Sequence, residues 1–162
     1  LGLSEVMPPP GRLSPLVGPA GSLVLDDSYN ANPASMRASI ETALSLARVR
    51  GGRAVLVLGD MLELGERSAA EHQVVGKLLA RAPAGVLIAC GPEMTKAAEA
   101  AREQARISQL ELSVSHLADA AGAGALLAPL LREGDVVLVK GSRSMHLERV
   151  VDALRSHAAG GA

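Results

Sequence analysis

Apolar residues fall along this chain in short unbroken runs, separated by longer stretches with helical spacing. The runs at 54–58, 86–90 and 136–139 contain no polar residue. Such runs mark parallel strands covered on both faces. With their neighbours they predict strands over 22–27, 53–59, 85–90, about 112–117 and 135–140. Between them, apolar positions at a 3.6-residue period predict helices over 33–49, 68–82, 92–106, 118–131 and 144–157. Residues 12–17 add a short strand that Pro15 confines to a sheet edge. The alternation predicts an α/β fold: a mostly parallel sheet with helices on both faces. Three local signals mark helix starts. Asn32-Pro33 reads as an N-cap followed by a first-turn proline, Ser68-Ala69-Ala70-Glu71 as a capping box, and Pro92 as the opening of the third helix.

Punctuation divides the chain. Residues 1–11, with Pro8-Pro9-Pro10-Gly11, read as a linker arriving from upstream domains; 12–157 form one domain, and 158–162 a disordered tail. The first residue is Leu1 rather than Met, so the chain is expected to be a piece of a longer protein.

Composition narrows the function classes. The 162 residues carry 16 basic and 17 acidic side chains and a net charge of -1, with no Lys/Arg run, so no nucleic-acid partner is expected. No apolar stretch approaches the ~20 residues of a membrane span, and none resembles a signal peptide. The single cysteine, Cys90, lies inside an apolar run and is expected to pack as a small hydrophobe in a reducing cytoplasm. The four histidines show no metal-ligand spacing, and His72 and His146 read as surface residues. Gly76-Lys77 lacks the first glycine of a P-loop, and Gly122-Ala123-Gly124 follows no strand, so it reads as a loose helix start rather than a dinucleotide loop.

Candidate chemistry gathers where strands hand over to helices. Asp26-Asp27-Ser28-Tyr29-Asn30-Ala31-Asn32 follows the first buried strand, and Tyr29 is the only aromatic residue in the chain. Asp60-Met61-Leu62-Glu63-Leu64-Gly65 follows the second, and Lys140-Gly141-Ser142-Arg143 the last. In an open parallel sheet these ends share one rim, where ligands bind. Any one cluster alone is explained as a solvated loop, and Asn32 alone as a cap. Two acidic loops and one cationic loop on a common rim favour a site.

Four segments together resemble a known family. Asp-Asp-Ser-Tyr-Asn-Ala-Asn-Pro-x-Ser-Met at 26–36, Leu-Gly-Asp-Met-Leu-Glu-Leu-Gly at 58–65, Glu-His-x-x-Val-Gly at 71–76 and Val-Lys-Gly-Ser-Arg-x-Met at 139–145 are similar to the C-terminal domain of the Mur ligases, from about Gly11 to Leu154. Within the family the resemblance is to the branch that adds D-alanyl-D-alanine to UDP-N-acetylmuramoyl-tripeptide in bacterial, cytoplasmic peptidoglycan synthesis. It implies a Rossmann-like three-layer domain with a six-stranded sheet. It also implies ATP as cosubstrate, with Mg2+, the P-loop and a modified lysine supplied by a separate central domain, and UDP held by an N-terminal domain. By the same resemblance Asp27, Tyr29, Asn30 and Asn32 lie near the nucleotide. Asp60, Met61, Leu62, Lys140, Ser142 and Arg143 line the D-Ala-D-Ala site, with Lys140 and Arg143 as candidates for its carboxylate. No catalytic residue is expected within the chain.

Two other readings fit parts of the pattern. A flavodoxin-like or receiver-type module also places acids at strand ends; in a receiver, Asp60 would be phosphorylated beside Lys140. A noncatalytic scaffold that binds only protein is the other.

Overall fold

A computed structural model describes residues 8–79 and 84–161. Six strands form one sheet: β1 (Ser14–Val17), β2 (Leu23–Asp27), β3 (Ala54–Gly59), β4 (Ala84–Cys90), β5 (Ser113–Leu117) and β6 (Val136–Lys140). Their spatial order is β1-β2-β6-β3-β4-β5. Only β1 runs antiparallel, at the edge, where Pro15 lacks an amide to donate. The main helices are α1 (Pro33–Arg50), α2 (Ser68–Leu78), α3 (Met94–Ser108), α4 (Ala123–Leu127) and α5 (Glu148–Gly160).

The central strands alternate two kinds of apolar side chain. Leu56, Leu58, Leu87 and Leu138 face α1, α2 and α3, whereas Val55, Val57, Ile88, Val137 and Val139 face α4 and α5. Each helix buries its apolar side against one of these layers, giving the expected three-layer architecture. With no Phe or Trp to fill gaps, the helices approach closely through small residues. Gly76 of α2 meets α3 so tightly that a Cβ there would fall 2.2 Å from the Ala97 carbonyl oxygen. Gly76 is therefore a packing position, consistent with its exclusion as part of a P-loop. Cys90 is buried, and burial first, with the charges of Asp119 and Asp60, pushes its thiol up to about 12.

Several boundaries differ from the sequence expectation. The helix expected over 118–131 shrinks to α4 and a 3-10 turn over Ala128–Leu130. Asp119 diverts the chain before it by accepting from the Ala121 amide, and Pro129 cannot extend the α ladder after it. The Ser68 capping box does not form: Ser68 is already helical, its hydroxyl donates to Glu93, and Glu71 pairs with Arg37 of α1 instead. Helix α3 starts at Met94, two residues beyond Pro92. Residues 158–160, expected in a tail, continue α5. Gly11, expected in the linker, donates its buried amide to Asp26. Residues 1–7 of the expected linker lie outside the described residues.

The end of the sheet opposite the rim is closed by Asp135. It accepts from the Arg53 amide, the Arg53 guanidinium at 2.6 Å and the Arg132 amide. Burial works against the charge, but these hydrogen bonds win and hold the carboxyl below its ordinary range. A carboxyl lowered by folding contributes stability above its unfolded pKa of about 3.9 and loses it as pH falls through the lower folded value. Unfolding free energy should therefore decline as acid is added below about pH 4. Asp135→Asn should flatten that part of the curve; an unaltered acid limb in denaturant titrations would count against this role.

Candidate functional site

The sheet order explains where the site opens. Strand β6 lies between β2 and β3. The helices that follow β2 and β3 cover one face, while α5, which follows β6, covers the other. Neighbouring strands thus send their loops apart, leaving a crevice above β6. A cleft of about 630 Å³ sits there, lined by Asn30, Ala31, Asn32, Leu62, Glu63, Leu64, Ser142, Arg143, Ser144 and His146. All three clusters expected on the rim contribute to it. A second hollow of about 250 Å³ adjoins it, lined by Gly11, Arg12, Asp27, Tyr29, Asn30, Asn32, Ser35 and Lys140.

The first loop is built on two inward carboxylates. Asp26 accepts from the amides of Gly11 (3.0 Å) and Ser28 (3.2 Å) and from the Ser28 hydroxyl (2.6 Å). Asp27 stands beside Lys140 in the parallel register of β2 and β6. Its carboxylate accepts from Lys140 Nζ at 2.7 Å, from Ser39 Oγ at 2.6 Å and from the Leu13 amide at 3.0 Å. Lys140 also donates to the Asn30 carbonyl at 2.9 Å, and its side chain is 3% exposed. Asp27 and Lys140 are therefore the struts of the loop, and the ammonium is not presented to the cleft. Asn32 caps α1 as expected, accepting from the Ser35 amide while Ser35 Oγ accepts from its own. Asn30 leaves its side chain exposed on both hollows.

Tyr29 is 44% exposed. The guanidinium of Arg12 lies 4.6 Å from its ring centroid, and that of Arg143 lies 5.2 Å from it. Both distances are within cation–π range. Among the described residues the Arg143 guanidinium has no hydrogen-bond or ion-pair partner, so its donors remain open to an anion in the cleft.

The second loop is pinned from three directions. Asp60 Oδ1 accepts from the Met94 amide at 2.8 Å, at the start of α3. Burial raises the Asp60 carboxyl above its ordinary range, opposed by the amides of Met94 and Glu93. The Met61 amide donates to His72 Nε2, and the Leu62 amide donates to Ser142 Oγ at 2.9 Å. The Ser142 amide donates back to the Asp60 carbonyl at 2.9 Å. Glycines let these two loops meet: a Cβ on Gly141 would come 2.6 Å from Leu147 and 3.0 Å from Gly59.

Of the six residues expected around a dipeptide, Leu62 and Arg143 are exposed on the cleft, Ser142 lines it though nearly buried, and Asp60, Met61 and Lys140 are buried outside its lining. The expectation of a surface His72 is overturned, since its ring is fully buried. Arg12 was missed: nothing local marks it, and it reaches Tyr29 only because β1 folds back on β2. Asp60 is too enclosed to serve as a receiver-type phosphoacceptor, and Lys140 is paired with Asp27 instead.

Comparison with known proteins bears on this geometry. Residues 11–143 match the family model described as Mur ligase, glutamate ligase domain. The chain belongs to the Mur ligase family. This Mur ligase domain is 39% identical over 158 residues to the UDP-N-acetylmuramoyl-tripeptide–D-alanyl-D-alanine ligase of Escherichia coli (strain K12), covering 96% of the chain and 32% of that protein. It is 40% identical over 147 residues to the ligase of the same name from Mycobacterium tuberculosis (strain CDC 1551 / Oshkosh), covering 83% and 29%. The fold is shared with a MurF ligase from Thermotoga maritima solved in complex with ADP, at a TM-score of 0.77 and 28% identity, over 99% of this chain and 34% of that one. A MurF from Acinetobacter baumannii gives the same TM-score at 32% identity, over 95% of this chain and 32% of that one. The Mur ligase domain thus spans about a third of the length of these relatives.

Proposed function

We propose that this domain serves a bacterial, cytoplasmic ligase that joins D-Ala-D-Ala to UDP-N-acetylmuramoyl-tripeptide at the expense of ATP. In that reaction ATP phosphorylates the tripeptide carboxylate, the dipeptide amine attacks the acyl phosphate, and phosphate leaves. The domain's share is binding and orientation. Tyr29, Arg12 and the exposed amide of Asn30 form a nucleotide-facing surface. Their hollow of about 250 Å³ is smaller than the ~300–1,000 Å³ of a complete small-molecule pocket. That size suits a surface closing over a nucleotide held by another domain. The larger cleft receives the dipeptide, with Leu62 beside it and Arg143 for its carboxylate. Asp27, Asn32, Asp60 and Lys140 hold those surfaces in place. Mg2+ is assigned to the central domain, with the nucleotide phosphates that supply most of its non-water ligands. The UDP-tripeptide is likewise left to the upstream domains.

The observation that carries the reading is the position of Arg143. Its guanidinium, without a hydrogen-bond or ion-pair partner among the described residues, borders the Tyr29 ring on one side and lines the cleft on the other. One residue thereby joins the nucleotide surface to the dipeptide surface, as a reaction between the two substrates requires.

The test is phosphate release from ATP with UDP-N-acetylmuramoyl-tripeptide and D-Ala-D-Ala. A polypeptide with the upstream domains should release phosphate only when the dipeptide is present. The 162-residue chain alone should stay silent, because it carries no P-loop. Dipeptide-dependent turnover by the isolated chain would refute this division of labour, and no turnover by the longer protein would refute the reaction.

A further inference from the structure

His72 is the one fully buried histidine, and nothing in the proposed reaction uses it. It lies on α2, outside both hollows, yet it contacts the loop that forms one wall of the cleft. Its Nε2 accepts from the Met61 amide at 3.1 Å. An amide nitrogen can only donate, so Nε2 must be unprotonated. The proton of the neutral ring then sits on Nδ1, which donates to the Ser68 carbonyl at 2.8 Å, one turn earlier on the same helix. Both ring nitrogens are committed, so the tautomer is set by the backbone on either side.

The hydrogen bond falls at a sensitive point. Met61 is flanked by Asp60, tied to α3 through the Met94 amide, and by Leu62, tied to Ser142. Ser142 in turn precedes Arg143. His72 supplies the only contact from α2 to the backbone of residues 60–62 among the hydrogen bonds of the described residues. Without it the Met61 amide would be buried with no acceptor, and the segment would shift to recover one. Such a shift would move Leu62 and, through Ser142, Arg143.

We infer that His72 is a positioning residue for the dipeptide site: its neutral Nδ1–H tautomer holds the Met61 amide and so sets the wall that Leu62 and Arg143 present to the cleft. This rests on the assignment of the cleft to the dipeptide, but the hydrogen bond can be tested apart from it.

Two amide replacements separate the ring's two ends. His72→Gln can put a carbonyl oxygen near the Nε2 position and keep an acceptor for Met61. His72→Asn reaches only the Nδ1 position and loses it. In the full-length ligase, His72→Asn should raise KM for D-Ala-D-Ala about tenfold or more, while KM for ATP changes less than twofold. His72→Gln should recover most of the loss. A purely structural role would lower the active fraction and leave both KM values alone. Equal KM values in the two variants, or equal shifts for both substrates, would overturn the inference. Unmodified protein provides a measurement that survives misfolding of either variant. In the 15N-histidine spectrum of the 162-residue chain, His72 should show an unprotonated Nε2 coupled to the Met61 amide proton. A protonated Nε2 at neutral pH would overturn the inference outright. If that signature is present but the full-length ligase has no dipeptide-dependent activity, the reaction assignment fails and the hydrogen bond stands.

Discussion

Asp27→Ala should lower the unfolding free energy of the 162-residue chain by about 3–5 kcal/mol, the cost of stripping one partner from a buried ion pair. The carboxylate is not a surface ornament. It holds Lys140, whose side chain is 3% exposed, and it also takes the Ser39 hydroxyl and the Leu13 amide. Removing it leaves an ammonium inside the protein with only the Asn30 carbonyl as partner. For a domain of this size the loss corresponds to a fall in Tm of roughly 6–20 °C, at about 2–4 °C per kcal/mol. The design includes its own control. In Asp27→Ala/Lys140→Met the stranded charge is gone and an apolar chain of similar length replaces it, so much of the stability should return. Urea titrations of the single and double variants decide the matter. A single-variant loss below about 1 kcal/mol, the scale of an exposed pair, would show that the Asp27–Lys140 pair is solvated after all.

The second large effect concerns substrate use. Arg143→Ala in the full-length ligase should cost about 1.5–3 kcal/mol in kcat/KM for D-Ala-D-Ala, the value of a hydrogen bond to a charged group. That is a loss of about tenfold to 150-fold. The guanidinium lines the cleft without a hydrogen-bond or ion-pair partner among the described residues, so an arriving carboxylate need not displace another anion. Arg143→Lys should recover little, because an ammonium lacks the planar fork and stacks poorly on the Tyr29 ring. The dipeptide's C-terminal amide separates carboxylate recognition from general damage. It should harm the normal enzyme far more than the Arg143→Ala enzyme, whereas equal losses in both would mean that Arg143 does not read the carboxylate. Because the same guanidinium lies 5.2 Å from the Tyr29 centroid, a small rise in KM for ATP should accompany the dipeptide effect.

Much of the architecture is legible in the sequence. The unbroken apolar runs at 54–58, 86–90 and 136–139 became the three central strands, because a strand buried on both faces cannot hide a polar residue on either. Pro15 marked an edge strand for a reason local to itself, the missing amide. Asn32-Pro33 marked the start of α1 equally well, since capping depends only on the next few residues. Where a signal had a distant competitor, local reading failed. Ser68 and Glu71 have the spacing of a capping box, but Glu93 of the α3 N-terminus claims the Ser68 hydroxyl and Arg37 of α1 pairs with Glu71.

The candidate site divides along the same line. Which loops meet was legible in the chain, because parallel strands put their carboxyl ends on one side, and the polar clusters at 26–32, 60–65 and 140–143 each follow such a strand. The role of each side chain within those loops was decided by tertiary structure. Asp27 and Lys140 are 113 positions apart and become neighbours only because β6 inserts beside β2, which turns a candidate carboxylate ligand into a buried strut. His72 reads as a polar residue on a helix until α2 packs beneath the 60–62 segment and the Met61 amide needs an acceptor. Arg12 is one more charge near a Pro-rich stretch until β1 returns along β2 and lays it over Tyr29. Periodicity and capping act over a few residues and survive in one dimension. Burial, ion pairing and the satisfaction of a backbone amide depend on what the fold brings from elsewhere, so only the folded chain separates the groups that build this rim from those that face a ligand.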